Sequence, residues 1–351
     1  MVVTKGEENV ERTLAILIRC SIVLAILVAG SVIAPSSAPA AAGTDTIMGD
    51  YVGTFEWGEG NAVPAEAKVL ALGGSDYRVV LTAQTGVIGP VELSRDVEAD
   101  RAAGTDHVTL KSAPGGSAWT GRIANGRLTA AAMPERSGTF DLLRIERHSP
   151  SEGLAPPPGA IVLLPFKGGV KSSLEAWTNK DWALLEDGSV QVTQGGNETV
   201  RPHGSGLFHI EFKVPYEPAG GGQGRGNSGV YFESRYEIQI LDSFGLTPGM
   251  GDCGAIYGVA IPRVNACLPP LAWQTYDVIF RAPTKMAEGA FGPPTLTVFH
   301  NGILIHENQE VPHTTTAAPE DGHTARGPLY LQDHGHPVAF RNIWYLELAQ
   351  P

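Results

Sequence analysis

Residues 226–245 read Gly-Asn-Ser-Gly-Val-Tyr-Phe-Glu-Ser-Arg-Tyr-Glu-Ile-Gln-Ile-Leu-Asp-Ser-Phe-Gly, a run in which polar and apolar side chains alternate. Successive residues of a β-strand point to opposite faces, so Glu237 and Gln239 are predicted on one face and their apolar neighbours on the other. The polar step at residues 233–235 is expected to turn the chain and make a hairpin. One face of this hairpin can pack on a core while the other carries a site.

The composition of the whole chain favours many short strands joined by tight turns. Its 351 residues include 43 Gly and 26 Pro, and 18% are charged. This length predicts two domains. Residues 44–148 are predicted to form a small antiparallel β domain, a meander or small barrel, with turns such as Asn125-Gly126. We find no catalytic constellation there and expect a structural or binding role.

A proline-rich connector is predicted at residues 149–159, where successive prolines favour an extended chain. The second unit, 160–351, contains further short strands and the two-residue turn signal His300-Asn-Gly-Ile303. About 190 residues of such strands are enough for two packed antiparallel sheets. An all-β jelly-roll sandwich is therefore predicted, whose curved sheet would offer a groove to a carbohydrate.

The N-terminal residues 1–42 are predicted to be a signal peptide. The apolar stretch 14–30 follows basic residues and precedes small residues at 36–42. An uncleaved membrane anchor is the alternative, since the apolar segment approaches the length of a bilayer-spanning helix. Either reading predicts export, to the periplasm, the cell surface or the medium. In an oxidising compartment Cys253 and Cys267 could pair, but sequence does not show whether they come within bonding range.

The charge of the chain excludes one class of partner. The formal net charge is -12 and no Lys/Arg cluster is present, so a nucleic-acid partner is not expected. A Gly-rich dinucleotide-binding turn is also missing from the sequence. A neutral substrate fits better.

Four ordered blocks stand out between residues 160 and 348. They are Arg225-Gly-Asn-Ser-Gly-Val-Tyr231 with Tyr236-Glu-Ile-Gln-Ile-Leu-Asp-Ser-Phe-Gly245, Asp252-Cys-Gly-Ala-Ile-Tyr-Gly258, Trp273-Gln-Thr-Tyr-Asp277, and Leu331-Gln-Asp-His-Gly335 with Phe340-Arg-Asn-Ile-Trp344. Together they closely resemble the 3-keto-disaccharide hydrolase family. The resemblance implies a concanavalin-like jelly roll that cleaves small glycosides oxidised to a ketone at C3, commonly by elimination and hydration. It also implies a separate sugar 3-dehydrogenase as the source of the ketone.

Such chemistry needs a base, a stabiliser for the enolate oxygen and a proton donor for the leaving oxygen. Glu237 is the candidate base, with the amide of Gln239 beside it. Conventional retaining glycosidases use two carboxylates about 5 to 5.5 Å apart. Asp242 is out of phase with Glu237 unless a bulge re-aims it, so a two-carboxylate hydrolase is disfavoured.

His334 is the candidate for proton transfer or metal binding. Together with Glu237 and Asp242 it could hold a divalent metal acting as a Lewis acid on the ketone, although no short-spaced ligand motif supports a metal. Arg225 or Arg235 could instead stabilise the enolate, and Tyr257 and Trp273 offer flat faces to a sugar ring. The residues predicted to bind substrate are Arg225, Asn227, Arg235, Gln239, Tyr257, Trp273, Gln332 and Asp333.

Two alternatives to the enzyme stay open at the level of sequence. Jelly rolls serve binding and catalysis alike, so a non-catalytic carbohydrate-binding protein is the first. A cell-surface structural protein with an idle polar pocket is the second.

Overall fold

The computed structural model describes residues 45–58, 60–84, 92–101, 107–112, 118–133, 138–166 and 174–348. The signal or anchor predicted at residues 1–42 lies outside this range. Among the described residues, no helix has the length and apolar character needed to cross a membrane. The described chain divides into one unit ending at Arg147, with which residues 217–221 are grouped, and another beginning at His148.

The first unit is a closed eight-stranded antiparallel barrel. Its strands are β1 (Gly49–Trp57), β2 (Asn61–Gly73), β3 (Asp76–Gln84), β4 (Glu92–Arg101), β5 (His107–Ser112), β6 (Ala118–Ala124), β7 (Arg127–Met133) and β8 (Gly138–Ile145). Each strand pairs with the next, and β8 pairs back to β1. The sequence predicted either an open meander or a small barrel for this region, and the structure shows the barrel. A closed barrel leaves no sheet edge exposed.

The barrel interior contains the aromatic side chains Phe55, Trp119 and Phe140, whose ring centroids lie 4.6 to 6.5 Å apart. The predicted turn between β6 and β7 is confirmed, with Asn125 and Gly126 at φ angles of 52° and 72°. Two successive positive φ values are what a two-residue hairpin loop requires.

The second unit is a sandwich of two antiparallel sheets, as the strand pattern predicted. Its strands are β9 (Ile161–Leu164), β10 (Ala183–Leu184), β11 (Val190–Gln191), β12 (Asn197–Glu198), β13 (Gly206–Lys213), β14 (Ser228–Phe232), β15 (Tyr236–Ile240), β16 (Gln274–Arg281), β17 (Thr295–His300), β18 (Ile303–Glu310), β19 (Tyr330–Leu331) and β20 (Ala339–Glu347). Within the described ranges, the single helical segment is the 3-10 turn Gly222–Gly224.

The larger sheet has the order β10-β11-β20-β13-β16-β17-β18, with β9 also paired to β20. The smaller sheet has the order β12-β19-β14-β15. Aromatic side chains join the two sheets: Phe232 of β14 lies 5.0 Å from Phe208 of β13 and 5.3 Å from Phe280 of β16. The core therefore lies between the two sheets, and the outer face of each sheet can carry polar side chains.

The outer face of the larger sheet carries a buried charged network centred on His209. The imidazole lies 2.6 Å from Asp277 and 3.3 Å from Glu211. Burial alone would lower the pKa of His209, but the two carboxylates raise it to about 9. Arg341 pairs with Glu211 at 2.6 Å. A charged imidazole is thus held between two carboxylates inside the fold.

The segment predicted as a connector, 149–159, takes part in this network. Ser151 donates a hydrogen bond to Asp277 at 2.6 Å, and the backbone N–H of Gly153 donates to Glu211 at 2.5 Å. Glu152 pairs with Arg341 at 2.6 Å. Residues 151–153 are therefore part of the sandwich, because their polar groups satisfy charges that the sheet buries.

Candidate active site

The β14–β15 hairpin presents Glu237 and Gln239 on the outer face of the smaller sheet. Tyr231 lies directly opposite Glu237 in the ladder, and Gly229 lies opposite Gln239. Directly opposed residues of an antiparallel pair share a face. Val230, Ile238 and their alternating neighbours point to the core, so the predicted two-faced hairpin is confirmed.

Glu237 is a buried carboxyl group with a perturbed pKa. The residue is only 2% exposed. Its carboxylate occupies space that a side chain at Gly229 would fill, since a Cβ there would lie 2.3 Å from Oε1. Burial raises the pKa of Glu237 to about 8, although a hydrogen bond from Tyr231 acts in the opposite direction. The group can therefore exchange a proton near neutral pH, as a general base must.

Tyr231 connects Glu237 to the neighbouring strand. Its hydroxyl donates to Glu237 and accepts a hydrogen bond from Nε2 of Gln332 at 2.9 Å. Burial, and then the nearby Glu237 carboxylate, raise the pKa of Tyr231, so its phenol keeps its proton. Tyr257 lies alongside, half-buried, with its backbone N–H bonded to the carbonyl oxygen of Glu237 at 3.2 Å. Gln332, which was predicted to bind substrate, is thus bonded to the hydroxyl of Tyr231.

A cluster of amides adjoins the carboxyl group. Nε2 of Gln239 donates to Oε1 of Gln223 at 3.0 Å, and Nδ2 of Asn227 donates to the same oxygen at 3.0 Å. Nε2 of Gln223 donates to the carbonyl oxygen of Gly251 at 2.8 Å. The side-chain oxygens Oε1 of Gln239 and Oδ1 of Asn227 are buried without a hydrogen-bond partner among the described residues. Two acceptors are thus left for hydroxyl donors of a ligand or for water.

Asp242 does not join Glu237, contrary to its predicted catalytic and metal-binding roles. Its carboxylate forms a buried ion pair with Nε of Arg225 at 2.6 Å. The backbone N–H of Asp242 also bonds to the carbonyl oxygen of Arg225 at 3.2 Å, which draws the chain away beyond the end of β15. The prediction that Arg225 stabilises an enolate has no support either, since the charge of Arg225 is balanced by Asp242.

Arg235 is held at the turn of the hairpin. Its Nη1 donates to the carbonyl oxygen of Glu233 at 2.7 Å, and its Nε donates to the carbonyl oxygen of Asp321 at 3.2 Å. Its Nη2 lies 3.6 Å from the carboxylate of Glu320. These bonds tie the hairpin turn to the loop at residues 320–321, so the predicted role of Arg235 at the site is not supported.

Trp273, which was predicted to offer a flat face to a sugar ring, lies away from Glu237. The ring lies under the guanidinium of Arg341 at 3.9 Å and the ammonium of Lys213 at 4.6 Å. Trp273 precedes β16 in phase with Asp277, so it belongs to the outer face of the larger sheet. Glu237 lies on the outer face of the smaller sheet, with the core between them.

His334 and Asp333 lie on the loop that follows β19. The carboxylate of Asp333 accepts hydrogen bonds from the backbone N–H groups of Gly195 at 2.7 Å and Gly335 at 2.8 Å, so it shapes this loop. His334 is exposed, and its ring is parallel to that of His336 with centroids 6.3 Å apart. Within the part of the chain that the structure describes, no hydrogen bond joins His334 to Glu237.

The metal set predicted from Glu237, Asp242 and His334 is not assembled. Within the part of the chain that the structure describes, the side chains grouped closely enough to hold a metal are Cys253, Cys267 and His300. Sequence reasoning also missed Tyr231 and Gln223. Tyr231 stands in the quoted hairpin as the residue directly opposite Glu237, whereas nothing in the sequence pattern marks Gln223.

The family of the chain follows from a direct match. Residues 166–346 match the model of the 3-keto-alpha-glucoside-1,2-lyase-like domain. The chain belongs to this family. The sandwich is therefore a carbohydrate-active enzyme domain, in agreement with the resemblance seen in the four sequence blocks.

Solved structures of three proposed glycosyl hydrolases from Parabacteroides distasonis are similar to part of the chain. The first is 35% identical, covers 55% of this chain and 85% of its own, and has a TM-score of 0.49. The second is 20% identical, with 52% and 92% coverage and a TM-score of 0.37. The third is 19% identical, with 50% and 95% coverage and a TM-score of 0.37. A comparison with curated proteins found no match.

Proposed function

We propose that the sandwich domain cleaves glycosides already oxidised to a ketone at C3, with Glu237 as the base. The observation that carries this proposal is a buried carboxyl group with a pKa of about 8, on a polar sheet face that also holds two unpartnered amide oxygens. A carboxylate of such basicity suits removal of a carbon-bound proton near neutral pH.

The proposed reaction has two steps. The C3 ketone acidifies the proton at C2, and Glu237 takes that proton while the C–H electron pair forms an enolate. The enolate expels the oxygen at C1 with its bonding pair, and that oxygen receives a proton. Addition of water across the resulting double bond then completes a net hydrolysis.

The neighbours of Glu237 have separate tasks in this scheme. The hydrogen bond from Tyr231 orients the carboxyl group, and Gln332 fixes Tyr231 in turn. The free carbonyl oxygens of Gln239 and Asn227 would accept hydrogen bonds from sugar hydroxyls. His334 stays our proposed proton donor for the leaving oxygen, and replacing it by Ala tests that role.

The sheet register argues against a conventional glycosidase mechanism. The acidic residue on the same face and in register with Glu237 is Glu198, which lies opposite Tyr330, and Tyr330 lies opposite Tyr231. Three strand spacings separate Glu198 from Glu237, about 14 Å at ~4.8 Å each. Glycosidase carboxylate pairs are separated by about 5 to 9.5 Å.

The test is turnover of a 3-keto-disaccharide beside the unoxidised disaccharide. We expect cleavage of the ketosugar alone, and a primary isotope effect when C2 carries deuterium. Glu237→Gln should abolish cleavage. Glu233→Gln is a matched control, because Glu233 is also buried with a pKa raised to about 8 but lies in the turn of the hairpin.

Three outcomes would contradict the proposal. Binding of the ketosugar without cleavage would make the domain a carbohydrate-binding module. Cleavage of the unoxidised sugar without a C2 isotope effect would indicate oxocarbenium chemistry. Full activity of Glu237→Gln would place the base elsewhere.

Two further proposals concern the setting of the reaction. A separate sugar 3-dehydrogenase is proposed to supply the ketone, because the substrate must be oxidised at C3 before its C2 proton becomes acidic. Export is proposed from the apolar N-terminal stretch and is tested by fractionation of cells that express the full chain.

A further inference from the structure

Three side chains with metal-binding atoms meet in the sandwich interior beneath β15. Cys253 lies in the loop after β15, Cys267 in the loop before β16, and His300 at the end of β17. All three are buried, and their ligand atoms lie within 4.8 Å of one another. Neither Cys253 nor Cys267 takes part in a disulfide in the described part of the chain.

The hydrogen bonds of His300 define which nitrogen carries its proton. Oε1 of Gln274 accepts hydrogen bonds from the backbone N–H of Leu268 at 3.0 Å and from Nδ2 of Asn301 at 3.1 Å. The contact of 2.9 Å between this oxygen and Nε2 of His300 therefore requires that Nε2 carries a proton. With Nε2 donating to this oxygen and no acceptor facing Nδ1, the proton of the neutral ring lies on Nε2 and Nδ1 carries a lone pair.

Nδ1 of His300 has no hydrogen-bond partner although the residue is fully buried. It lies against the backbone next to Cys253, since a Cβ on Gly254 would be 3.7 Å from it. A buried lone pair without a donor is costly, and native structures seldom leave one. Beside two thiols, this lone pair points to a ligand that accepts electron pairs.

We propose that Cys253, Cys267 and Nδ1 of His300 bind a zinc ion. Thiolate and imidazole are the ligands that zinc prefers in proteins. Both thiols would lose their protons to solvent on binding, and two thiolates with one Zn²⁺ form a neutral assembly suited to a core. A disulfide between Cys253 and Cys267 would leave Nδ1 of His300 unsatisfied, which favours the metal.

The site would brace the strand that carries Glu237. The backbone carbonyl oxygen of Gln239 accepts hydrogen bonds from the hydroxyl of Tyr276 at 2.6 Å and from the backbone N–H of Gly254 at 2.9 Å. The hydroxyl of Tyr276 also lies 3.2 Å from Sγ of Cys253. An ion bound by Cys253 would therefore fix the positions of Gly254 and Tyr276, the two residues that hydrogen-bond to β15 at Gln239. This role is structural and does not depend on the proposed reaction.

The test is the metal content of the purified full chain, prepared under reducing conditions without a chelator. We expect one zinc ion per chain by elemental analysis, and a sulfur-to-cobalt charge-transfer band after replacement with Co²⁺. Cys267→Ser and His300→Gln should each lose the metal. His306→Gln is the matched control, because His306 is a buried histidine whose Nε2 is bound to the carbonyl oxygen of Gly254 at 2.8 Å.

A variant that fails to fold would also lose the metal, so a second measurement uses the chain without substitutions. X-ray absorption at the zinc edge should show two sulfur neighbours and at least one nitrogen neighbour. A chain without metal, or with an intact mass lower by two hydrogens from a Cys253–Cys267 disulfide, would overturn the proposal. So would zinc whose neighbours include no sulfur.

Discussion

Glu237 is a carboxyl group whose proton is retained well above the pH at which an exposed glutamate loses it. Burial in the smaller sheet disfavours the charged form, and the carboxyl group occupies the space that Gly229 leaves open. A base must be ionised to act. The proposed activity therefore depends on the fraction of Glu237 that has lost its proton.

This dependence predicts the pH profile of the reaction. The value of kcat/KM for a 3-keto-disaccharide should rise with pH and level off near the pKa of Glu237, about 8. Glu237→Gln should lower kcat/KM by about 100-fold or more, in the range of general-base effects. Steady-state rates between pH 5 and 9 check this, and a profile flat below pH 8 would contradict it.

Glu233 allows a prediction about stability that is separate from catalysis. Both of its carboxylate oxygens are buried without a partner, and burial raises its pKa from 4.5 to about 8. The folded state thus retains a proton that the unfolded state loses between these values, so stability falls as pH rises from 4.5 to 8. Glu233→Gln should raise the Tm at pH 8 and leave it nearly unchanged at pH 4. Thermal unfolding at both pH values checks this, and an equal shift at both would count against the assignment.

At the scale of elements, the conformation of the β14–β15 hairpin depends on both the local sequence pattern and tertiary packing. Alternation along β15 places Glu237 and Gln239 together. The turn adopts φ angles of 56° at both Glu233 and Ser234, which non-glycine residues seldom take. Packing of the hairpin on the core holds this conformation, since no Asn-Gly pair is present to favour it.

Gly229 gives the element-scale prediction. A methyl group there would lie 2.3 Å from Oε1 of Glu237 and 2.9 Å from the ring of Tyr231. Gly229→Ala should displace the carboxyl group and lower kcat/KM by about 10-fold or more, because misplacement of a catalytic group is costly. Kinetic assays with far-ultraviolet circular dichroism separate this from unfolding. Gly221→Ala is the matched control, since nothing lies within 4 Å of a Cβ at that position. Equal activity of the two variants would contradict the prediction.

At the scale of the whole molecule, the two units divide at residues 147 and 148 rather than after the prolines. The reason is the buried network on the larger sheet. Residues 151–153 cover this network and donate hydrogen bonds to Glu211 and Asp277, the two carboxylates that hold His209. A boundary after residue 159 would remove these partners.

Two truncated chains test this boundary. A chain beginning at residue 148 should keep the sandwich fold, whereas one beginning at residue 160 should be less stable by about 3 kcal/mol or more, the scale of a broken buried ion pair. Urea denaturation followed by tryptophan fluorescence measures the difference. Equal midpoints for the two chains would show that the segment contributes nothing to the sandwich.

The sequence by itself determined the all-β class, the turns at Asn125-Gly126 and His300-Asn-Gly-Ile303, and the shared face of Glu237 and Gln239. These features depend on neighbours along the chain, where strand alternation and turn chemistry act directly. The family match was also foreseen from four ordered blocks, which are long enough to be specific.

Only the tertiary structure decided which partners those residues meet. It paired Asp242 with Arg225, placed Trp273 on the far side of the core, and set Tyr231 against Glu237 and Gln332. It also placed β20 between β11 and β13 in the larger sheet. The physical reason is that burial and ion pairing join residues many positions apart, and their free energies depend on the closed fold rather than on local pattern.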